Sequence, residues 1–216
     1  MTSRAQVDKL GERLKAGRTT EADLRLLDEY RLTFAGAYQA VSDQIVALGL
    51  RPTGRPAKST KAIIDKLQRE SIRLSQIQDI AGCRVVVGTI VDQDRVVAEL
   101  SQAMPTSKVL DRRARPSHGY RAVHLVVATT GQPVEVQVRT MPQHFWAELS
   151  EQVADRVGPE VKYGGGPIEA RLGLKAALDM TSAVDRGGEM WTIEEHWIPA
   201  LAAVFAPFEK RPRTKE

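Results

Sequence analysis

The chain has 216 residues, 42% of them hydrophobic and 27% charged, with a formal net charge of +4, which suits one complete globular core and argues against a multi-domain machine. The opening Met-Thr-Ser-Arg-Ala-Gln lacks the apolar run of a secretory signal, and no later stretch reaches the apolar length of a bilayer span, so a cytoplasmic protein without a membrane partner is expected. A lone cysteine, Cys83, excludes disulfide and cysteine-based metal frameworks within one chain, and its setting in Ala81-Gly82-Cys83-Arg84-Val85-Val86-Val87 reads as core. From about Thr20 to Leu48 the apolar residues Leu24, Leu27, Tyr30, Phe34, Tyr38, Val41, Ile45 and Leu48 recur at helical spacing and predict one long amphipathic helix. A Pro/Gly loop, Gly49 to Pro56, precedes a second helix from Thr60 to about Leu74 with Ile63, Ile64 and Leu67 as its apolar stripe. The centre reads as strand Gly82–Thr89, helix Asp92–Met104, then strands Lys108–Arg112, Val123–Thr130 and Gln132–Thr140. Helices follow at Pro142–Val157, Pro167–Asp185 and Trp191–Phe205, separated by Gly164-Gly165-Gly166 and Gly187-Gly188. The fold class is therefore α/β of the α+β kind, a mixed central sheet flanked by helices.

The segment Thr129-Thr130-Gly131-Gln132 reads as a tight turn with Gly131 at its first central position, pairing Ala128 with Glu135, Val126 with Gln137 and His124 with Arg139. Leu125, Val127, Val134, Val136 and Val138 then share the opposite, apolar face, as a half-buried sheet requires. That leaves His124, Glu135, Gln137 and Arg139 on one surface. An antiparallel sheet ordinarily shows water a polar face, and a Glu–Arg pair there needs no task. A second acid shifts the balance: Asp79, just ahead of the apolar strand. Two carboxylates on neighbouring strands suit a magnesium-dependent phosphoryl-transfer site, because a hard cation takes oxygen ligands and leaves its other positions to water and phosphates. Clusters of His and Cys at zinc spacings are absent. Arginines gather at Arg112, Arg113 and Arg115, where they can meet phosphates, and in the tail Lys210-Arg211-Pro212-Arg213, which reads as solvated surface.

Three segments in order, Asp79-Ile80-Ala81-Gly82-Cys83-Arg84-Val85, His118-Gly119-Tyr120-Arg121-Ala122-Val123-His124 and Val134-Glu135-Val136-Gln137-Val138-Arg139-Thr140, together resemble the signature of the RelA/SpoT-homologue alarmone synthetases. The likeness runs from about Arg55 to Tyr163 and takes in His144-Phe145-Trp146-Ala147. It implies a nucleotidyltransferase-like synthetase fold: an N-terminal helical segment over 1–50, a catalytic core over 51–165, and C-terminal helices with a basic tail over 166–216, all in one structural domain. With no hydrolase domain before the segment and no regulatory region after it, the small, single-domain branch is expected.

The resemblance also implies roles. Asp79 matches a magnesium-binding aspartate, and Glu135 a glutamate that binds metal and activates a ribose 3′-hydroxyl. Arg55, Lys58 and Lys66 resemble the basic segment that holds ATP, and Arg84 the arginine flanking adenine, where a planar guanidinium can stack. Tyr120 matches the tyrosine on which an acceptor guanine stacks, and His124 the histidine near the acceptor phosphates. Arg112, Arg113 and Arg115, with Arg121 and Arg139 within the signature, would serve those phosphates, and His144 stands near the acceptor base where relatives often carry Asn or Asp. The implied reaction moves the β,γ-pyrophosphate of ATP, with Mg²⁺ as cofactor, to GDP or GTP. A toxin-type relative with an antitoxin partner, acting on the tRNA 3′ end or on adenine nucleotides, and a non-catalytic nucleotide- or RNA-binding module stand as alternatives. Self-association through the last helix, Trp191 to Phe205, is left open.

Overall fold

Two capping boxes organise the start of the chain. The Ser3 hydroxyl accepts from the Gln6 N–H while the Gln6 side chain accepts from the Ser3 N–H, and Thr20 and Asp23 repeat the arrangement. In the computed structural model, which describes residues 3–128 and 131–188, they start helices α1 (Arg4–Lys15) and α2 (Glu21–Leu32). Helix α1 is an element that the sequence reading passed over, although Val7, Leu10 and Leu14 already have helical spacing and are buried. The long helix expected from Thr20 to Leu48 is two helices, α2 and α3 (Ala35–Ala47). Its break has a local cause. The Thr33 hydroxyl donates to the Tyr30 carbonyl at 2.6 Å, the acceptor a continuing helix would offer Phe34, and the Phe34 N–H turns to Arg31 instead. Phe34, fully buried, meets the Tyr30 ring edge-on at 5.2 Å.

The predicted loop at Gly49–Pro56 contains a short strand, β1 (Thr53–Arg55), antiparallel to β2 (Ala81–Val87), with Gly54 opposite Cys83. Only glycine allows this approach, since a Cβ at Gly54 would fall 2.4 Å from the Gly82 carbonyl oxygen. Helix α4 (Thr60–Arg69) stops short of the predicted Leu74, because Glu70 turns extended and the chain enters a 3-10 turn, Leu74–Gln76. Helix α5 (Ile90–Ala103) and strands β3 (Lys108–Asp111), β4 (Val123–Ala128) and β5 (Pro133–Thr140) follow the sequence expectation closely. The sheet order is β1-β2-β5-β4-β3. Helix α6 (Met141–Val157), a 3-10 turn (Pro159–Tyr163) and helix α7 (Ile168–Asp185) complete the described fold. The predicted helix Trp191–Phe205 and the basic tail lie outside the described residues, as do Thr129 and Thr130 of the predicted turn.

The chain packs as two compact units. Of the described residues, the first comprises those within Met1–Val85, Val96–Leu110 and His124–Val138, and the second those within Val86–Arg95, Asp111–Val123 and Arg139–Glu216. The core of the first includes Leu10, Leu14, Leu27, Phe34, Ile63 and Leu125. In the second, Trp146, Val153, Ala170, Leu174, Ala177 and Met180 form an apolar cluster between α6 and α7, and the Trp146 indole donates to the Leu174 carbonyl at 3.1 Å. Among the described residues no helix is long and apolar enough to cross a membrane.

Candidate functional site

In the first unit, the Lys58 N–H bonds the Ile80 carbonyl at 2.7 Å, tying the entrance of α4 to the turn before β2. That tie brings Lys58 onto Asp79: its ammonium donates to one carboxylate oxygen at 2.5 Å, while Lys66, farther along α4, donates to the other at 3.0 Å. Burial pushes the Asp79 carboxyl up, but the two lysines outweigh it and hold Asp79 below the usual carboxylate range. Arg84, half-buried on β2, donates to the Thr53 hydroxyl at 3.3 Å, and Arg55 is exposed.

Glu135 on β5 is held from both sides. One oxygen lies 2.8 Å from His124 Nδ1, and the other accepts from the Gln137 amide at 2.6 Å. Burial pushes the Glu135 carboxyl up, and the neighbouring Asp79 charge adds to that, yet the His124 and Gln137 bonds outweigh both and keep it ionised below its ordinary value. An ionised Glu135 accepts only, so Nδ1 carries the hydrogen. Each carboxylate oxygen still has a lone pair to offer. Cys83 is buried, and burial and then the Glu135 charge push its thiol up to about 12, so it remains a neutral thiol rather than a nucleophile.

The His124–Glu135 contact corrects the predicted hairpin register. With Glu135 opposite Ala128, His124 would sit four residues away along the strands, roughly 13 Å at strand rise and beyond the reach of both side chains. The faces survive the correction, because a slip by an even number of residues keeps every side chain on its side. Leu125, Val127, Val134, Val136 and Val138 are all buried. The polar face is not an ordinary solvated one either, since His124 is only 6% exposed and Arg139 7%.

In the second unit, Ser117-His118-Gly119-Tyr120 makes a two-residue turn closed by the Tyr120 N–H on the Ser117 carbonyl at 2.9 Å. His118 (φ 49°) and Gly119 (φ 96°) both take positive φ, as such a turn demands. A Cβ on Gly119 would also fall 2.9 Å from both Leu178 and Trp146. The turn is thereby seated on the α6–α7 cluster and presents Tyr120, whose hydroxyl accepts from Arg139 at 3.1 Å and whose ring lies 5.2 Å under the Arg139 guanidinium.

The other expected acceptor residues divide. Arg112 and Arg115 are exposed, and among the described residues neither makes a side-chain ion pair. Arg113 instead is committed to protein carboxylates, pairing with Asp111 and Asp94 at 2.7 Å each and donating to Gln93, and Asp111 foremost holds its pKa above the ordinary value. Arg121 pairs with Asp185 at 2.9 Å and donates to Thr181 at 3.1 Å. His144, on the first turn of α6, lies 3.8 Å from Glu148. Sequence reasoning missed Asp94, Gln93, Gln143 and Asp185. Only Gln143 had a signal, the capping box Thr140-x-x-Gln143 at the start of α6.

A family model described as the region found in RelA/SpoT proteins matches residues 54–155. The chain is 34% identical over 149 residues to the GTP pyrophosphokinase YjbM of Bacillus subtilis, a match covering 62% of this chain and 67% of that protein. The chain belongs to the RelA/SpoT family. An uncharacterised Mycobacterium tuberculosis protein, Rv1366, is 32% identical over 180 residues, covering 79% of this chain and 66% of its own, so the chain spans just under two thirds of that relative. Among solved structures, small alarmone synthetase 1 of Bacillus subtilis bound to its product pppGpp superposes with a TM-score of 0.57 at 28% identity, covering 82% of this chain and 99% of that one. The RelA/SpoT region contains both carboxylates, the basic start of α4 and the Tyr120 turn. Helix α7 and its terminal Asp185 lie beyond it.

Proposed function

We propose that this RelA/SpoT protein transfers the β,γ-pyrophosphate of ATP to the ribose 3′-hydroxyl of GDP or GTP, forming (p)ppGpp. The observation that carries the reading is the pair of ionised carboxylates in the first unit: Asp79 beneath two lysines, and Glu135 held by His124 and Gln137. Relatives support it, one being a GTP pyrophosphokinase and another a synthetase whose product is pppGpp.

The roles follow from the chemistry. The acceptor 3′-oxygen attacks the β-phosphorus of ATP in line, the bond from that phosphorus to the bridging oxygen breaks, and AMP departs with that oxygen. Glu135 takes the hydroxyl proton, and His124, donating to it through Nδ1, keeps the carboxylate aimed. Lys58 and Lys66 neutralise ATP phosphates, with Arg55 beside them and Arg84 flanking the adenine. Tyr120 stacks on the acceptor base, while Arg112, Arg115, Arg121 and Arg139 serve its phosphates. Arg113 is given a supporting role, since its guanidinium is already satisfied by Asp111 and Asp94.

The donor set fits magnesium, because Asp79 and Glu135 offer ionised oxygens and no soft ligand competes. Bound there, the ion would draw charge from the phosphates and lower the pKa of the attacking hydroxyl. No covalent enzyme intermediate is required.

The test is transfer of label from γ-labelled ATP with Mg²⁺ to GDP, GTP, AMP, ADP and deacylated tRNA, each offered in turn. Label on GDP or GTP is the expected result. Label only on tRNA or an adenine nucleotide would replace the acceptor in this reading, and transfer to none would overturn it.

A further inference from the structure

Asp185 is the last residue of α7, where the exposed carbonyls of the helix end disfavour a negative charge by about 0.3–1 kcal/mol. Its side chain is nevertheless only 6% exposed. Three donors surround it: Arg121 at 2.9 Å, the Thr140 hydroxyl at 2.7 Å and the Gln143 amide at 3.3 Å. Arg121 immediately follows Tyr120, and Thr140 immediately follows Arg139, the guanidinium that covers the Tyr120 ring. One carboxylate therefore ties down the residues next to both members of the Tyr120–Arg139 pair. Behind it the contacts continue, with Gln143 and the fully buried Gln93 exchanging amide bonds and Gln93 receiving Arg113. Arg121 is half-buried, and its desolvation more than offsets the Asp185 charge to lower its pKa, so removing that carboxylate would leave a cation without its counter-charge.

We infer that Asp185 is a positioning residue for the acceptor, holding Arg121 and the Tyr120 turn in place from a helix outside the RelA/SpoT region. It touches no reacting atom; it fixes the residues that bind the nucleotide base and phosphates. The inference rests on the acceptor role of Tyr120 proposed above.

Asp185→Asn tests it. The Michaelis constant for the nucleotide acceptor is expected to rise about tenfold or more, while the constant for ATP and kcat at saturating acceptor stay within about twofold. Amide exchange over residues 117–121 is expected to accelerate. Arg121→Gln/Asp185→Asn, which removes both charges and leaves neither stranded, keeps the test open should the single variant fail to fold, and is expected to weaken acceptor binding no more than Arg121→Gln alone. An unchanged acceptor constant, or equal rises for ATP and acceptor, would overturn the inference. Absence of transfer by the unaltered protein would overturn the proposed function instead, and the exchange measurement would then decide by itself whether Asp185 holds the turn.

Discussion

Glu135 combines features that a base for a ribose hydroxyl needs: it is ionised, its two oxygens are aimed by His124 and Gln137, and it sits on a strand rather than a loop. Glu135→Gln keeps the shape and loses the proton acceptor. Transfer should fall by about 10²–10⁴-fold with the ATP constant little changed, and activity near the parent's would remove Glu135 from that role. A different carboxylate, Asp23, has a purely structural task. It accepts Nε and Nη2 of Arg13 and caps α2 through Thr20, and the Arg13 bond foremost lowers its pKa from 3.8 to about 2. A depressed folded-state value stabilises above the unfolded pKa and is lost as pH falls through the folded one. Asp23→Asn should therefore melt lower than the parent at neutral pH, with the deficit shrinking as pH falls from about 4 toward about 2. A deficit that persisted unchanged across that window would mean the cap, not the charge, carries the effect. Both carboxylates of the candidate site were legible in the sequence, Glu135 as a charge within an alternating strand and Asp79 as a second acid just ahead of an apolar one, because a solvated sheet face accounts for the first but not for the pair. Asp185 was not, since an acid at the end of an amphipathic helix looks like any solvated residue until its three donors are seen.

Element by element, periodicity found what periodicity can find. Strands β2 to β5 and helices α4 to α7 lie where apolar spacing put them, whereas β1 has three residues, one a glycine, and exists because the edge of β2 accepts it. The α2–α3 break turns on one hydroxyl, that of Thr33, which leaves the apolar pattern intact on both sides. Hairpin register escaped for a related reason: burial distinguishes the two faces of a strand but is blind to a slip by an even number of residues. The Tyr120 turn was not predicted, although His118-Gly119 offered a signal for it, and its geometry explains why glycine is needed twice over, for positive φ and for contact with Leu178 and Trp146. Gly119→Ala should cost about 1–2 kcal/mol from backbone conformation alone, with the crowding against Trp146 in addition. Thermal melting measures the loss, and an unchanged midpoint would show that the turn can adopt another form.

At the scale of the molecule, the proposed donor residues Arg55, Lys58, Lys66, Asp79 and Arg84 all belong to the first unit, while Tyr120, Arg121, Arg139 and His144 belong to the second. The sequence-based boundaries at residues 50 and 165 could not anticipate this, because each unit is assembled from three separated stretches and chain order hides the grouping. On the proposed function, the residues that hold ATP and those that bind the acceptor base and phosphates fall in different units, with Glu135, which meets the acceptor hydroxyl, in the first, so each nucleotide should leave its own footprint. A non-hydrolysable ATP analogue with Mg²⁺ should slow amide exchange in segments 55–66 and 79–85, and GDP alone should slow it in 112–121 and 139–144. The Asp79 pairs sharpen the first expectation. Lys58 and Lys66 spend their charge on Asp79 when nucleotide is absent, so triphosphate binding must draw them from one anion to another, and protection at the start of α4 should depend on the triphosphate and be absent with adenosine. If GDP protected 55–66 as strongly as the ATP analogue did, the assignment of donor and acceptor to the two units would fail.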